Sequence, residues 1–94
     1  MLNINDVKAY IRATDEDDSV VTYCMESARS YLQDAIDDFD TKYANADAAW
    51  QTKADLTAMQ LCSWCYENRG EVSVDIPASV RLMIYQLQLK AVSV

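Results

Sequence analysis

The sequence predicts an all-α protein, a single small domain of about four helices. The chain of 94 residues contains one glycine and one proline, so it has few of the residues that interrupt helices. Apolar residues recur at spacings of three and four over long segments, which is the period of an amphipathic helix. Ninety-four residues provide too little interior for two cores, so residues 1–94 are expected to form one domain.

The first two predicted helices differ in length. The first is short, with Asn5 as the expected N-cap. Its apolar side consists of Val7, Tyr10 and Ile11. The second extends over residues 15–39, with Thr14 as N-cap and acidic residues in the first turn, where the helix dipole favours negative charge. Its apolar stripe is Val21, Cys24, Met25, Ala28, Tyr31, Leu32, Ala35, Ile36 and Phe39.

The second half of the chain predicts two more helices. After a polar connection at residues 40–46, a third helix is expected from about Asp47 to Arg69, closed by Gly70 in a left-handed conformation. Its apolar side is Leu56, Ala58, Met59, Leu61, Cys62, Cys65 and Tyr66. Residues 71–76 alternate polar and apolar side chains, as in an extended connection or a short strand. Pro77 suits the first position of the last helix, which continues close to the C-terminus.

The last predicted helix has two apolar stripes. The first is Val80, Met83, Ile84, Leu87 and Ala91; the second is Leu82, Tyr85, Leu89 and Val92. Trp64 is a further large apolar side chain without an expected place in the core, because it lies among polar residues of the third helix. Large exposed apolar patches are rare in monomers, so we expect the second stripe and Trp64 to form a self-association interface. The alternative is an irregular fold that covers the last helix on both sides.

The charge of the chain is strongly acidic. Fifteen acidic residues against eight basic ones give a formal net charge of −7. Such a surface repels nucleic-acid phosphates and lacks the basic stripe of a DNA-binding protein. The sequence shows no signal-peptide pattern and no apolar run close to the roughly 20 residues that span a bilayer, so no membrane association is expected.

The residue types argue against catalysis. There is no histidine, which is the commonest general base and metal ligand, and a single glycine cannot build a phosphate-binding loop. The acidic residues lie on predicted exposed faces or at helix starts, so we expect no catalytic residue, cofactor or metal. Residues 37–42 are faintly similar to a calcium loop, but they lack the central glycine and closing glutamate of an EF-hand.

Cys62 and Cys65 have the C-x-x-C spacing of redox centres and half zinc sites. A structural zinc site needs four ligands, and Cys24 is the one remaining cysteine. A thioredoxin-like pair lies at a helix N-terminus, whereas this pair lies late in a predicted helix, near the negative end of its dipole. We therefore expect reduced thiols buried in the core, and a dithiol redox protein is the disfavoured alternative.

Five short motifs occur in a fixed order along the chain. They comprise Val7, Lys8, Tyr10, Ile11 and Arg12; Asp17 and Asp18; Ala28, Tyr31 and Leu32; Tyr66, Glu67, Asn68 and Arg69; and Ile76, Pro77, Val80 and Arg81. Each motif is weakly specific, but their order extends over nearly the whole chain. The order resembles that of the small head–tail connector (adaptor) proteins of long-tailed bacteriophages.

The resemblance implies a structural virion protein. Members of that family form a ring, commonly a dodecamer, below the portal at the capsid vertex after DNA packaging. The ring extends the DNA channel and receives the next head-completion or tail protein. The implied partners are other copies of the chain, the portal and that next protein; DNA passes through the channel without sequence-specific binding. The implied location is the head–tail junction of the virion, after synthesis in the bacterial host cytoplasm.

Two sets of residues are candidate functional sites. The expected subunit or partner interface is Trp64, Glu67, Arg69, Leu82, Tyr85, Leu89 and Val92. Within it, Glu67 and Arg69 are expected to fix the third helix against a neighbouring element or subunit, with Tyr66 buried in the core. The candidates for an acidic channel lining are Asp34, Asp37, Asp38 and Asp40. These acids also support a second hypothesis, an acidic DNA mimic or regulatory protein that binds a basic partner as a monomer or dimer.

Overall fold

Helices make up most of the backbone. The computed structural model describes residues 3–13, 17–68 and 76–90. Within these ranges there are five α-helices and no strand. They are α1 (Ile4–Ile11), α2 (Asp18–Ala35), α3 (Phe39–Asn45), α4 (Ala48–Glu67) and α5 (Ala78–Leu89). The all-α class and the single compact domain are confirmed, and the expected number of about four helices is one too low because α3 was not predicted.

α1 begins earlier than predicted. Its N-cap is Asn3 rather than Asn5, because the Asn3 side chain accepts a hydrogen bond from the backbone N–H of Asp6 at 2.9 Å. The helix ends at Ile11, since Arg12 adopts a left-handed φ of 58° and donates its backbone N–H to the Lys8 carbonyl. A helix this short directs few side chains inward, and Val7 is the fully buried one.

The predicted second helix, residues 15–39, ends earlier than expected. α2 ends at Ala35, after which Ile36 is extended and Asp38 has a left-handed φ of 54°. Ile36 and Phe39 are both buried, and the turn between them lets each side chain reach the core from a different direction. The proposed cap Thr14 lies outside the described residues, and Asp17 immediately precedes α2.

α3 replaces the predicted polar connection at residues 40–46. Phe39 and Tyr43, one turn apart, pack on Trp50 of α4 with ring centroids 5.9 and 6.4 Å from the Trp50 ring. The Tyr43 hydroxyl also donates to the Asp55 carboxylate at 2.9 Å. Burial and then Asp55 raise the pKa of Tyr43 to about 12. This aromatic cluster attaches α3 to α4.

α4 is the central helix, since all the other helices contact it. The side chain of Asp47 caps it by accepting from the Trp50 backbone N–H at 2.9 Å, as the predicted start requires. α4 ends at Glu67 with Asn68 as its C-cap, two residues before the predicted end at Arg69, and Gly70 lies outside the described residues. Leu56 was wrongly assigned to the core and is 43% exposed, because it lies about 140° around the helix from the buried Leu61. The buried side is Trp50, Ala54, Thr57, Ala58, Leu61 and Cys62.

α5 packs one of its faces against α4. Pro77 was predicted to be the first residue of this helix, but it is the N-cap, and α5 begins at Ala78. Of the predicted connection at 71–76, Ile76 is the only described residue. The core face of α5 is Val80, Ile84 and Leu87. Trp50 Nε1 donates to the Leu87 carbonyl at 3.3 Å and so links the C-terminal part of α5 to the start of α4.

α2 and α5 pack against different flanks of α4. Cys62 Sγ donates to the Cys24 carbonyl of α2 at 3.7 Å, and Lys53 Nζ donates to Gln86 Oε1 of α5 at 3.1 Å. Lys53 and Cys62 are nine positions apart, which corresponds to half a turn at about 100° per residue. The outward faces of α2 and α5 therefore point in different directions, although the two helices approach each other where Gln88 Nε2 donates to the Ala35 carbonyl.

Candidate assembly surfaces

The second apolar stripe of the last helix is exposed. Leu82, Tyr85 and Leu89, here called the α5 ridge, are 57%, 56% and 67% exposed. They lie on the side of α5 opposite its core face, so one small core cannot cover both faces of this helix. The alternative, a fold that covers α5 on both sides, is not observed for these residues. Val92, the remaining predicted member of the stripe, lies outside the described residues.

Basic side chains border the α5 ridge at both ends. Arg81 precedes Leu82 and is exposed. Lys90 follows Leu89, and its Nζ lies 3.8 Å from the Asp47 carboxylate, an ion pair in which both side chains are more than half exposed. An exposed pair of this length contributes little to stability, so Lys90 remains available to an acidic surface.

A second surface with exposed aromatic rings lies on α2. Tyr23, Glu26, Ser27, Ser30, Tyr31 and Asp34, here called the α2 outer face, line an open depression of about 400 Å³. Tyr23 is 66% exposed and Tyr31 is 40% exposed. The assignment of Tyr31 to the core stripe was wrong, because it lies about 100° around the helix from the buried Leu32. Sequence reasoning missed this surface; its only signal was aromatic residues among polar neighbours.

Trp64 is half-buried rather than fully exposed, because the start of α5 lies beside it. It lines a groove of about 260 Å³ together with Tyr10, Gln60, Ser63, Glu67, Pro77, Ser79 and Val80. Trp64 Nε1 and Gln60 Oε1 are both buried and have no hydrogen-bond partner in the described part of the chain. A buried donor and a buried acceptor without partners cost on the order of 1–3 kcal/mol each.

Glu67 lies at the edge of the same groove and is exposed. Within residues 3–13, 17–68 and 76–90 its side chain forms no ion pair or hydrogen bond, so the predicted contact with a neighbouring element of the same chain is not observed for Glu67. A neighbouring subunit remains the predicted partner. Arg69, the other member of this prediction, lies outside the described residues.

Three of the sequence motifs meet at the junction of α1, α2 and α4. Lys8 of α1 forms an ion pair with Asp18 of α2 at 2.7 Å, and the Lys8 side chain is only 13% exposed. The Tyr66 hydroxyl of α4 donates to Asp17 at the start of α2. Tyr66 is therefore half-buried rather than part of the core as predicted, because its hydroxyl must reach a carboxylate at the protein surface.

The four acidic candidates lie along one edge, formed by the end of α2, the turn after it and the start of α3. Asp34, Asp37, Asp38 and Asp40 are all exposed. Asp40 accepts hydrogen bonds from Arg29 Nη2 at 3.3 Å and Gln33 Nε2 at 2.8 Å, so its charge is partly offset. Asp34 also belongs to the α2 outer face.

The cysteines fit the predicted core role better than redox chemistry. Cys24 and Cys62 are fully buried, Cys65 is half-buried, and all three are free thiols. Burial and then the nearby Cys65 raise the pKa of the Cys62 thiol to about 12. Because the thiolate is the reactive form, a thiol with such a pKa is a poor nucleophile near neutral pH.

In the described ranges, no group of three or more Cys, Asp and Glu side chains is placed to hold a metal ion. No helix found there combines the length and the hydropathy of a membrane span. Comparison with known proteins gave no matching family model and no significantly similar curated protein or solved structure.

Proposed function

We propose that the protein is a ring-forming adaptor at the head–tail junction of a long-tailed bacteriophage. Its copies assemble below the portal, extend the DNA channel and receive the next head-completion or tail protein. The observation that carries this proposal is the α5 ridge, three large apolar side chains that a domain of 94 residues leaves more than half exposed. Surfaces of this kind mark protein–protein contacts.

The energetics of the α5 ridge favour an assembly role. Burial of one large apolar side chain stabilises a complex by roughly 1.5–3 kcal/mol before the costs of association. Leu82, Tyr85 and Leu89 together could therefore supply the few strong contacts on which most protein interfaces depend.

The ion pair and the hydrogen bond at the junction of α1, α2 and α4 also support the proposal. Lys8, Asp18, Asp17 and Tyr66 belong to three motifs and form direct contacts, one of them between residues 49 positions apart. A shared fold would require such residues together, which gives the resemblance to the adaptor proteins a structural reason.

The distribution of acidic residues suits a DNA channel. Asp37 and Asp38 are exposed along one edge of the molecule. A ring with this edge towards its axis would repel phosphates and let DNA slide through. This role in the virion requires no enzymatic activity, cofactor or metal.

Electron microscopy of negatively stained particles tests the proposal. The portal encoded by the same genome is imaged alone, with the wild-type protein, and with the variants Leu89→Glu and Leu56→Glu. We expect added density below the portal with the wild type and with Leu56→Glu, whose exposed leucine lies outside the α5 ridge. Leu89→Glu should add less density. A portal that gains no density from the wild-type protein would contradict the adaptor role.

An acidic DNA mimic or regulatory protein is the second candidate, and the exposed pair Asp37 and Asp38 favours it. Such a protein would bind a basic protein as a monomer or dimer and compete with DNA for it. Competition assays with a basic DNA-binding protein separate the candidates. A mimic loses competition in the double variant Asp37→Asn/Asp38→Asn and keeps it in Leu89→Glu, whereas an adaptor shows no stoichiometric competition.

A further inference from the structure

We infer that copies of this chain associate head to tail, with the α5 ridge of one copy on the α2 outer face of the next. This inference rests on the proposed function, which requires a repeating interface but leaves its second surface unidentified. The proposal therefore assigns the α2 outer face as that second surface, and another copy of the chain as its occupant.

The two surfaces match in length, and each has large exposed side chains. Leu82 and Leu89 of the α5 ridge are seven positions apart, about 10.5 Å along a helix, and Tyr23 and Tyr31 of the α2 outer face are eight positions apart, about 12 Å. The depression lined by the two tyrosines is also lined by two small residues, Ser27 and Ser30. Large side chains of the α5 ridge can therefore enter between the rings.

The two surfaces also match in charge. Arg81 and Lys90 flank the α5 ridge on opposite sides, because nine positions correspond to half a turn, and Glu26 and Asp34 belong to the α2 outer face, eight positions apart. Because both ends of the ridge are basic and the acidic residues are similarly spaced, the match holds for either direction of the helix. Complementary charges of this kind determine which surfaces meet and in what register.

Pairing of either surface with itself is electrostatically unfavourable. Two α5 ridges related by a two-fold axis would place Arg81 and Lys90 of both copies, four basic side chains in all, around one contact. Two α2 outer faces would likewise bring Glu26 and Asp34 against acids. Like charges in an interface disfavour that pairing, so the ridge-to-face contact is the favoured one.

The positions of the two surfaces make the contact propagate. α2 and α5 pack on different flanks of α4, so one neighbour that covers the α5 ridge leaves the α2 outer face of the same copy open. An interface between two different patches continues from copy to copy and gives a closed ring when the rotation between neighbours closes.

Mixing of complementary variants tests this inference. The ridge variant Leu82→Asp/Leu89→Asp has an intact α2 outer face, and the face variant Glu26→Lys/Asp34→Lys has an intact α5 ridge. Sedimentation velocity up to millimolar concentration should show wild-type association, and each variant alone should bind itself at least about tenfold more weakly. A mixture of the two variants should associate again, because it contains one intact ridge and one intact face. The variant Leu56→Glu should associate like the wild type, and circular dichroism verifies the folding of every variant.

Three outcomes would overturn the inference: a wild-type protein that stays monomeric at millimolar concentration, a face variant that self-associates like the wild type, or a mixture that stays monomeric. The second outcome would indicate symmetric pairing of α5 ridges. Binding to portal is measured separately, so the two proposals can fail independently. A protein that binds portal without self-association would retain the adaptor role, whereas one that forms head-to-tail oligomers without portal binding would lose it.

Discussion

Asp38 occupies an unusual backbone conformation at the turn between α2 and α3. Its left-handed φ of 54° is unfavourable for residues with a Cβ atom, although aspartate tolerates it better than most. We expect Asp38→Gly to raise the free energy of unfolding by about 0.5–1 kcal/mol, because glycine adopts this conformation without steric cost. Asp37→Gly is the matched control and should be neutral or destabilising, since Asp37 has no positive φ. Urea denaturation measures both, and equal effects would contradict the argument.

Cys62 should make the protein less stable at alkaline pH. The pKa of its thiol in the folded protein is about 12, compared with an ordinary value of 9.0. The unfolded chain ionises this thiol first, so the stabilisation is complete below about pH 9 and is lost as the pH rises towards 12. Tyr43, whose pKa is also raised to about 12, acts in the same direction above pH 10.

Denaturant unfolding across this pH range tests the effect of Cys62. The free energy of unfolding should fall more gradually with pH in Cys62→Ala than in the wild type. Leu61→Ala is the control, since it also removes buried volume but no ionisable group; it should lower stability at every pH and keep the wild-type slope. Parallel curves for the wild type and Cys62→Ala would contradict the assignment.

At the scale of the helices, the residues of α5 that stabilise the domain differ from those proposed for association. Leu87 is 1% exposed and Leu89 is 67% exposed, although they are only two positions apart. Leu87→Ala should destabilise the domain by about 2–4 kcal/mol, because it leaves a cavity in the core. Leu89→Ala should stay within about 0.5 kcal/mol of the wild type in stability. Thermal denaturation of the two variants at low protein concentration compares these effects, and a large loss for Leu89→Ala would show that the α5 ridge supports the monomer.

Periodicity predicted where helices occur better than where they end. The stripe through Leu32, Ile36 and Phe39 keeps helical spacing across the turn after Ala35, so the sequence contains no sign of the break. The residue that permits the turn is an aspartate rather than a glycine, and capping patterns do not identify such a residue. The start of α4 was predictable because Asp47 is followed by a helical pattern and makes the expected capping bond.

The candidate surfaces were predictable to different degrees. The α5 ridge followed from counting two apolar stripes on one helix, because a small domain has only one core. Trp64 was assigned to the polar side of its helix, but sequence periodicity does not show that the start of α5 lies beside it. The α2 outer face could not be found in the same way, since its two tyrosines are separated by small and charged residues and form no apolar stripe.

For the whole molecule, association should appear as additional thermal stability. If folded copies bind one another and unfolded chains do not, Tm rises with protein concentration. We expect this increase for the wild type and for Leu56→Glu, and little or none for Leu89→Glu. Differential scanning calorimetry over a hundredfold range of concentration measures it. A Tm of the wild type that is independent of concentration would contradict self-association in solution.

The two tryptophans are natural fluorescent reporters of different parts of this assembly. Trp50 is 2% exposed and bonded to the Leu87 carbonyl, so its emission should be at short wavelength and should follow the packing of α5 on the core. Trp64, half-buried in its groove with an unpartnered Nε1, should emit at longer wavelength and respond to any molecule that enters that groove. With Trp50→Phe and Trp64→Phe, each process can be followed by intrinsic fluorescence in a chain that carries no added dye.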